Sequence, residues 1–272
     1  MRDWSDQNDG PALQTLAILG GYPNLDAATQ TIAKEVIGAN IAFLLNNYQN
    51  PTFNLWEEHQ GQSFFARSVQ LECFQAIQKA PFGIAPPAGV AAAIAFLMAQ
   101  LPQHWNGTTY MSMLPQIQGY DTNIDIVCAA VYGAIPYTDT KLLASAAQLR
   151  KQWADSASPD KYPINLADSA RNLGPLMGRY PGDMYDGDMG NQSTGDHPWA
   201  LCTANFAELY YGLANLIAAG TAVPLDALST EFFAQIGVNS STSSANVVQA
   251  LNNAGDAMIQ AIIYHSDHLE LS

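Results

Sequence analysis

Apolar residues recur every three or four positions along most of the chain, the spacing that places them on one face of an α-helix. Pro11 and Asp26 mark two helix starts, because proline fits the first turn and an aspartate side chain can accept from a free backbone N–H. Residues 88–101 are apolar nearly all round, so we expect this helix to be buried. The predicted helices are residues 11–20, 27–45, 63–79, 88–101, 125–134, 138–153, 164–173, 197–219, 225–236 and 245–265.

No segment shows the sustained alternation of apolar and polar residues that predicts a β-strand. Pairs of helices joined by long loops rich in glycine and aromatic residues favour an all-α fold of the α/α-toroid type, in which inner and outer helices alternate around a ring. No break in composition divides the chain of 272 residues, so we predict a single domain over residues 1–272.

Apolar residues make up 48% of the chain and charged residues only 12%, so much of its surface must be neutral and polar. The net charge of −14 repels phosphate, which argues against nucleic acid or an anionic membrane as a partner. No apolar run is long enough to span a bilayer. Met1 is followed by Arg2 and Asp3 rather than by a signal-peptide pattern. The sequence does not indicate the cellular compartment of the protein.

Three cysteines, Cys73, Cys128 and Cys202, stand apart from one another within apolar helical patterns, so we expect buried free thiols. No cysteine or histidine spacing indicates a metal site, and no cofactor is expected. Residues 186–191 resemble the start of a calcium loop. The twelfth position is His197 rather than the glutamate such loops need, so we interpret the segment as an extended loop.

Trp56, Glu57 and Glu58 form the most distinctive motif for chemistry. Pro51 before them and Gly61 after them place the glutamates on a loop. A carboxylic acid against an indole ring loses hydration, which disfavours its charged form and suits a general acid. The alternative is that both glutamates are solvated charges in the first turn of a helix, where the dipole favours acids.

The surrounding residues add a resemblance to a known family. Residues 55–58, Leu-Trp-Glu-Glu, followed by Gly-Gln-Ser-Phe-Phe at 61–65, resemble the catalytic-acid segment of the glucoamylases. These are inverting, exo-acting glycoside hydrolases that release glucose from starch ends. Residues 4–13 are similar to that family's first tryptophan-containing loop, and residues 178–185 with 197–204 are similar to its arginine loop and the following helix.

The resemblance implies an (α/α)6 barrel that releases glucose from the non-reducing ends of α-1,4-glucans. It implies that Glu57 is the general acid and that Glu58 binds a sugar hydroxyl. The backbone carbonyls of Leu55 and Trp56 are expected to hold the sugar as well. Asn54 departs from the aspartate common in the family. The remaining substrate-binding positions that the resemblance implies are Trp4, Arg179, Asp183, Tyr185 and Trp199.

A complete barrel of this kind has twelve helices, whereas the periodicity predicts about nine or ten. The family's arginine–aspartate pair has no counterpart before Trp4, and its catalytic base would follow Ser272. We therefore expect an incomplete toroid that self-associates through exposed helix faces.

Three functional hypotheses remain. The chain is a glucoamylase-type hydrolase acting on an α-glucan or maltooligosaccharide, without an organic cofactor. Alternatively, it is a non-catalytic glucan-binding or regulatory relative, or an inactive truncated product without the base. The third is another α/α toroid with unrelated chemistry.

Overall fold

The computed structural model describes residues 7–185 and 197–266, and helices dominate it as predicted. The helices predicted over residues 164–173 and 225–236 are shorter in the structure, at Pro163–Ser169 and Thr230–Ala234. The helices are α1 Gly10–Gly21, α2 Ala27–Asn47, α3 Phe64–Gln78, α4 Val90–Gln100, α5 Asp125–Val131, α6 Thr140–Ala154, α7 Pro163–Ser169, α8 Ala200–Ala218, α9 Thr230–Ala234 and α10 Ser244–Ser266.

Three short strands, which the sequence pattern did not predict, form a small antiparallel sheet in the order β1-β2-β3. They are β1 Thr52–Phe53, β2 Gln60–Ser63 and β3 Met113–Leu114. Thr52 pairs with Gly61, and Gln62 pairs with Leu114. Strands of two to four residues are too short to show the period-2 alternation by which a strand is recognised.

The described residues fall into two compact units. The first comprises the described residues up to 104 together with 112–116 and 132–135, and thus holds α1 to α4 and the sheet. The second comprises 105–111, 117–131 and the described residues from 136 onward, and holds α5 to α10. The single domain expected over residues 1–272 stays a prediction.

Helix α3 is the centre of the first unit, where it packs against α1 and α4. Its aromatic residues Phe64, Phe65 and Phe74 are fully buried. Arg67 of the same helix is also buried, and its guanidinium lies 3.0 Å from Nε2 of His104 and donates to Oε1 of Gln62 over 2.8 Å. Because a guanidinium can only donate, this histidine nitrogen must be the acceptor. The network fastens β2 to α3.

Helix α4 departs from the expectation of complete burial. Only Val90, Ala93 and Leu97 are buried, while Met98 is 56% exposed. The prediction was wrong because apolar residues on every side of a helix permit complete burial but do not ensure it. Burial also requires neighbouring elements, and the pattern within one helix does not show which of these are present. In the described part of the chain α4 packs on α3 through one stripe.

In the second unit α8 and α10 pack along each other. Gly255 of α10 permits this approach, because a Cβ there would come within 2.7 Å of the ring of Tyr211 in α8. Trp153 at the end of α6 is fully buried and stacks on Tyr162, with ring centroids 4.7 Å apart. Within residues 7–185 and 197–266 no helix combines the length and hydropathy that crossing a bilayer requires.

The prediction of buried free thiols is confirmed for all three cysteines. Burial raises the pKa of Cys73 and of Cys128 to about 12. It also raises the pKa of Cys202 well above its usual value.

We expect the folded chain to resist a thiol-specific disulfide reagent at pH 8, because the thiolate is the reactive species and all three thiols are protonated and enclosed. In concentrated guanidinium chloride all three thiols should react. Rapid absorbance-monitored labelling of one thiol per chain in native buffer would contradict this arrangement.

Candidate active site

The loop of Trp56, Glu57 and Glu58 is the turn of the hairpin between β1 and β2, and Asn54 organises it. The backbone N–H of Asn54 donates to the carbonyl of His59 over 2.9 Å, and its carbonyl accepts from the N–H of Glu57 over 3.0 Å. Its side-chain Oδ1 accepts from the N–H groups of Glu58 and His59 over 2.9 and 3.1 Å. Asn54 is only 1% exposed, so these bonds form away from water.

This geometry explains what Asn54 does at the position where the resemblance implies an aspartate. The amide oxygen can accept from two backbone N–H groups without adding a negative charge beside two glutamates. The turn is therefore fixed by a neutral side chain.

Glu57 has a backbone φ of +61°, in the left-handed region that side chains other than glycine rarely adopt. Holding an L-residue there costs about 1–2 kcal/mol. Such strain persists only where the surrounding bonds impose it, and it concentrates at functional sites. The side chains of Leu55, Trp56, Glu57 and Glu58 are all half-buried.

The residues that follow the turn have structural roles that account for the Gly-Gln-Ser-Phe-Phe pattern. A Cβ on Gly61 would lie 3.1 Å from the carbonyl oxygen of Leu114, so glycine allows β3 to pair closely. Ser63 caps α3, because its Oγ accepts from the N–H of Ala66 over 3.2 Å. Phe64 and Phe65 then anchor the helix in the core.

Arg179 and Asp183 form a buried, two-pronged ion pair in the second unit. Nε and Nη2 of the arginine donate to the two carboxylate oxygens over 2.7 and 2.5 Å. The side chains are 4% and 0% exposed. The carboxylate also accepts from the backbone N–H of Tyr185 over 3.0 Å. Asp183 thus fixes both the plane of the Arg179 guanidinium and the backbone at Tyr185.

Three aromatic rings surround this guanidinium. Its Cζ lies 4.7 Å from the ring centroid of Trp199, 5.3 Å from that of Tyr185 and 5.1 Å from that of Tyr180. The rings of Tyr185 and Trp199 stack with centroids 5.6 Å apart. The structure therefore brings together Arg179, Asp183, Tyr185 and Trp199, and it adds Tyr180, which the sequence analysis did not single out.

The backbone around Arg179 is held from both sides. A Cβ on Gly178 would collide with the hydroxyl of Tyr162, so only glycine fits there. The carbonyl of Arg179 accepts from the N–H of Ile124 over 2.9 Å, and the N–H of Trp199 donates to the carbonyl of Met177 over 2.8 Å. These contacts give the Gly-Arg-Tyr segment a defined path.

Asp9 is a second carboxylate that sequence reasoning did not select. It is 9% exposed, at the N-terminus of α1. Burial is the largest cause that raises its pKa, backbone N–H groups of Asp9 and Gly10 lower it, and the charge of Glu57 raises it further. The sequence does not distinguish Asp9 from an ordinary helix cap, because its burial is visible only in the structure.

Two predicted features lie outside the described residues, namely Trp4 and the calcium-like segment 186–191. Among the residues that are described, no group of three or more histidine, cysteine, aspartate or glutamate side chains could hold a metal ion.

The second unit also carries grooves. One of about 210 Å³ has Trp199 in its wall beside Leu176 and Pro198. A larger one, of about 400 Å³, is lined by polar residues such as Thr122, Gln152 and Asp155 and holds none of the predicted site residues. Thr122 and Gln152 hydrogen-bond each other in this groove, so part of its polar lining is already satisfied.

Residues 5–271 match the family model of glycosyl hydrolases family 15, and the chain therefore belongs to this family. It is 24% identical to the glucoamylase of Blastobotrys adeninivorans over 96% of this chain and 47% of that protein. It is 27% identical to a probable glucoamylase of Schizosaccharomyces pombe over 77% of this chain and 46% of that protein. The chain thus spans about half the length of these curated relatives.

Two solved structures show the same fold. The glucoamylase of Saccharomycopsis fibuligera superposes with a TM-score of 0.78 at 23% identity, covering 96% of this chain and 63% of that one. The glucoamylase of Hormoconis resinae superposes with a TM-score of 0.74 at 20% identity, covering 94% of this chain and 46% of that one. The prediction of an all-α, incomplete (α/α)6 toroid is confirmed.

We expect Glu57→Gly to be more stable than Glu58→Gly by about 1 kcal/mol. Glycine relieves the left-handed strain at position 57, whereas Glu58 has no positive φ and glycine there only adds freedom to the unfolded chain. Urea unfolding of both variants measures the difference. Equal destabilisation by the two substitutions would show that the turn holds Glu57 without strain.

Replacing Arg179 by lysine should destabilise the chain by about 2–4 kcal/mol. An ammonium group cannot donate the two parallel hydrogen bonds of the guanidinium, so the buried carboxylate of Asp183 would be left poorly paired. The matched control is Arg171→Lys, whose arginine is 50% exposed and pairs with Asp168 over 3.3 Å. That change should cost less than about 0.5 kcal/mol. Similar losses in thermal unfolding for both variants would argue against a tightly held Arg179.

Proposed function

We propose that this chain belongs to a glucoamylase-type hydrolase that releases glucose from the non-reducing ends of α-1,4-glucans by inverting acid/base hydrolysis. The observation that carries the proposal is the hairpin that holds Glu57 in a strained left-handed conformation through the bonds of Asn54. Membership of the glycosyl hydrolase family supports the reaction class.

In this proposal Glu57 donates its proton to the glycosidic oxygen as the bond to the leaving sugar breaks. An inverting enzyme needs a second carboxylate about 6.5–9.5 Å from the acid to activate water on the opposite ring face. Glu58 does not suit that role, because the side chains of adjacent residues diverge. Following the family resemblance, Glu58 instead binds a substrate hydroxyl, with the carbonyls of Leu55 and Trp56. We assign the base to no residue described here.

The Arg179 cluster suits the binding of a sugar. Tyr185 and Trp199 offer flat apolar faces for a pyranose ring, and their polar edges can reach hydroxyl groups. Asp183 holds the guanidinium rigidly, so little side-chain entropy is lost when a ligand hydroxyl approaches. Trp4 is proposed as a further platform by resemblance alone.

A non-catalytic glucan-binding relative is the second candidate. It is favoured by one observation, that the ion pair of Arg179 with Asp183 and the stacked rings of Tyr185 and Trp199 could hold a sugar without any proton transfer. A chain of this kind would bind the sugar through the same residues but would not turn it over.

Glu57→Gln should reduce glucose release from maltotriose by about 10²–10⁴-fold, since the amide cannot donate the proton. Affinity for maltose or acarbose should change little. Glu58→Gln is the matched control, and it should weaken binding more than it slows the bound substrate. Enzymatic glucose detection and calorimetry provide the two readouts.

If Glu57→Gln releases glucose as fast as the parent chain, Glu57 is not the acid. If the parent chain binds acarbose but releases no glucose, the second candidate function is correct.

We also propose that the chain self-associates through exposed apolar helix faces. In the first unit Ile32 of α2 is 60% exposed and Met98 of α4 is 56% exposed. Apolar surface of this kind favours association in water. Light scattering should detect species larger than one chain, whereas a monodisperse monomer at high concentration would contradict this.

A further inference from the structure

We propose that two adjoining grooves at the end of α6, in the second unit, form a further carbohydrate-binding site that takes a linear, uncharged glucan segment. The choice of a glucan among uncharged polyhydroxyl chains rests on the proposed function. The lining of neither groove includes Glu57, Arg179 or Trp199. The site would therefore hold a polymeric substrate through residues that take no part in the proposed chemistry.

The two grooves have part of their lining in common. Lys151 and Asp155 line both the larger groove, of about 400 Å³, and the smaller one, of about 260 Å³. The larger groove extends to Thr108, and the smaller one extends to Glu231 of α9. Ligand pockets usually enclose about 300–1,000 Å³, so the larger groove is of suitable size. Two adjoining grooves suit a chain of sugar rings better than a single compact ligand.

Hydrogen bonds order two loops that line the larger groove. Oδ1 of Asn106 accepts from the backbone N–H groups of Thr108 and Thr109, each over 2.9 Å. In the loop after α6, Oδ1 of Asp155 accepts from the N–H of Ala157 over 2.8 Å. Because these loops are already ordered, a ligand that binds between them loses little free energy to ordering the protein.

Several polar side chains in the larger groove remain available to a ligand. Within residues 7–185 and 197–266, the side chains of Gln148, Lys151 and Asp160 make no hydrogen bond or ion pair. An amide both donates and accepts, an ammonium donates and a carboxylate accepts. Each hydroxyl group of a sugar can do both, so this set of groups matches a polyhydroxyl ligand.

The smaller groove contributes two further polar groups. Nε2 of Gln235 donates to the carbonyl of Ala147 over 2.9 Å, whereas its Oε1 is enclosed and has no donor among the described residues. An enclosed acceptor without a donor costs free energy, so a ligand hydroxyl that reached this oxygen would be favoured. Arg150 donates from Nη1 to the hydroxyl of Tyr210 over 2.6 Å, and its other N–H groups can donate to sugar oxygens.

The charges of the lining favour an uncharged ligand. They include both signs, namely Arg150, Lys151, Asp155, Asp160 and Glu231. A phosphate chain or a polyamine would meet repulsion as well as attraction there, whereas a neutral sugar can use donors and acceptors of either sign. Ala157 and Pro159 are exposed and add apolar surface against which the C–H face of a sugar can pack.

The larger groove also adjoins a segment that supports Arg179 in the same unit. Thr122 of this segment lines the groove. Two residues further on, the N–H of Ile124 donates to the carbonyl of Arg179 over 2.9 Å. Two residues earlier, the ring of Tyr120 packs on that of Tyr180, with centroids 4.4 Å apart. A ligand in the groove would thus contact a segment whose other residues hold the arginine cluster.

The decisive experiment is a proton–nitrogen NMR titration of the full chain with maltohexaose. The side-chain amide signal of Gln148 is assigned by its loss in Gln148→Ala, and it should shift in a saturable way. The matched control is the side-chain amide of Gln260, which is exposed on α10, lines neither groove and should not shift. A Gln148 signal that stays in place in millimolar maltohexaose, or that shifts equally with sorbitol, would overturn the proposal.

A paired substitution tests the site by affinity. Gln148→Ala combined with Asp160→Ala should leave the urea midpoint unchanged, because neither side chain has a partner in the described part of the chain. It should weaken maltohexaose binding about tenfold, as expected on losing one or two hydrogen bonds, when binding is followed through the backbone N–H signal of Lys151. Gln260→Ala should leave the affinity unchanged. Equal affinities in the parent chain and the double variant would contradict the site.

The titration also separates this site from the proposed function, since the indole N–H signal of Trp199 is assigned by its loss in Trp199→Phe. If the Gln148 signal shifts and the Trp199 signal does not, the grooves bind the glucan but the arginine cluster does not, which contradicts the proposed function. If only the Trp199 signal shifts, the groove site alone is wrong. Where glucose release is measurable, the double variant should raise KM for soluble starch and leave kcat for maltose unchanged.

Discussion

The neutral side chain of Asn54 is the constraint on which the candidate acid depends. One amide oxygen satisfies two backbone N–H groups, while the backbone of the same residue closes the turn on both sides. Buried hydrogen bonds of this kind are costly to leave unmade, so they can hold the neighbouring glutamate in a conformation that it would otherwise avoid. The acid is thus positioned by the backbone before any substrate contact is considered.

Rigidity is built differently around Arg179. There a buried carboxylate fixes the guanidinium, three rings enclose it, and glycine at position 178 admits the ring of Tyr162 beneath the loop. A planar cation with aromatic neighbours combines ionic and stacking interactions that a lysine could not provide. The hairpin is therefore held by backbone hydrogen bonds and the arginine cluster by an ion pair and ring contacts. Both arrangements restrict conformational freedom before a ligand binds, which lowers the entropic cost of binding.

Helical periodicity predicted the order of the helices because each buries one face against a neighbour, and burial leaves a regular pattern in the sequence. It could not predict β1 and β3, because each contains only two residues and β3 forms by pairing with the distant β2. It also misjudged α4, because apolar composition does not reveal which neighbours are present. The residues around the candidate acid were recognisable from Trp56, Glu57 and Glu58, whereas Asp9 became visible only through its burial.

The left-handed conformation of Glu57 has a consequence for protein engineering. A library sorted only by survival after heating would reward glycine at that position, since the conformation suits a residue without a Cβ. Thermal selection would thus discard the carboxyl group on which the chemistry is proposed to rest. A search for more thermostable variants therefore also needs a screen for ligand binding or turnover. At this position thermal stability favours glycine, whereas the proposed catalysis requires glutamate.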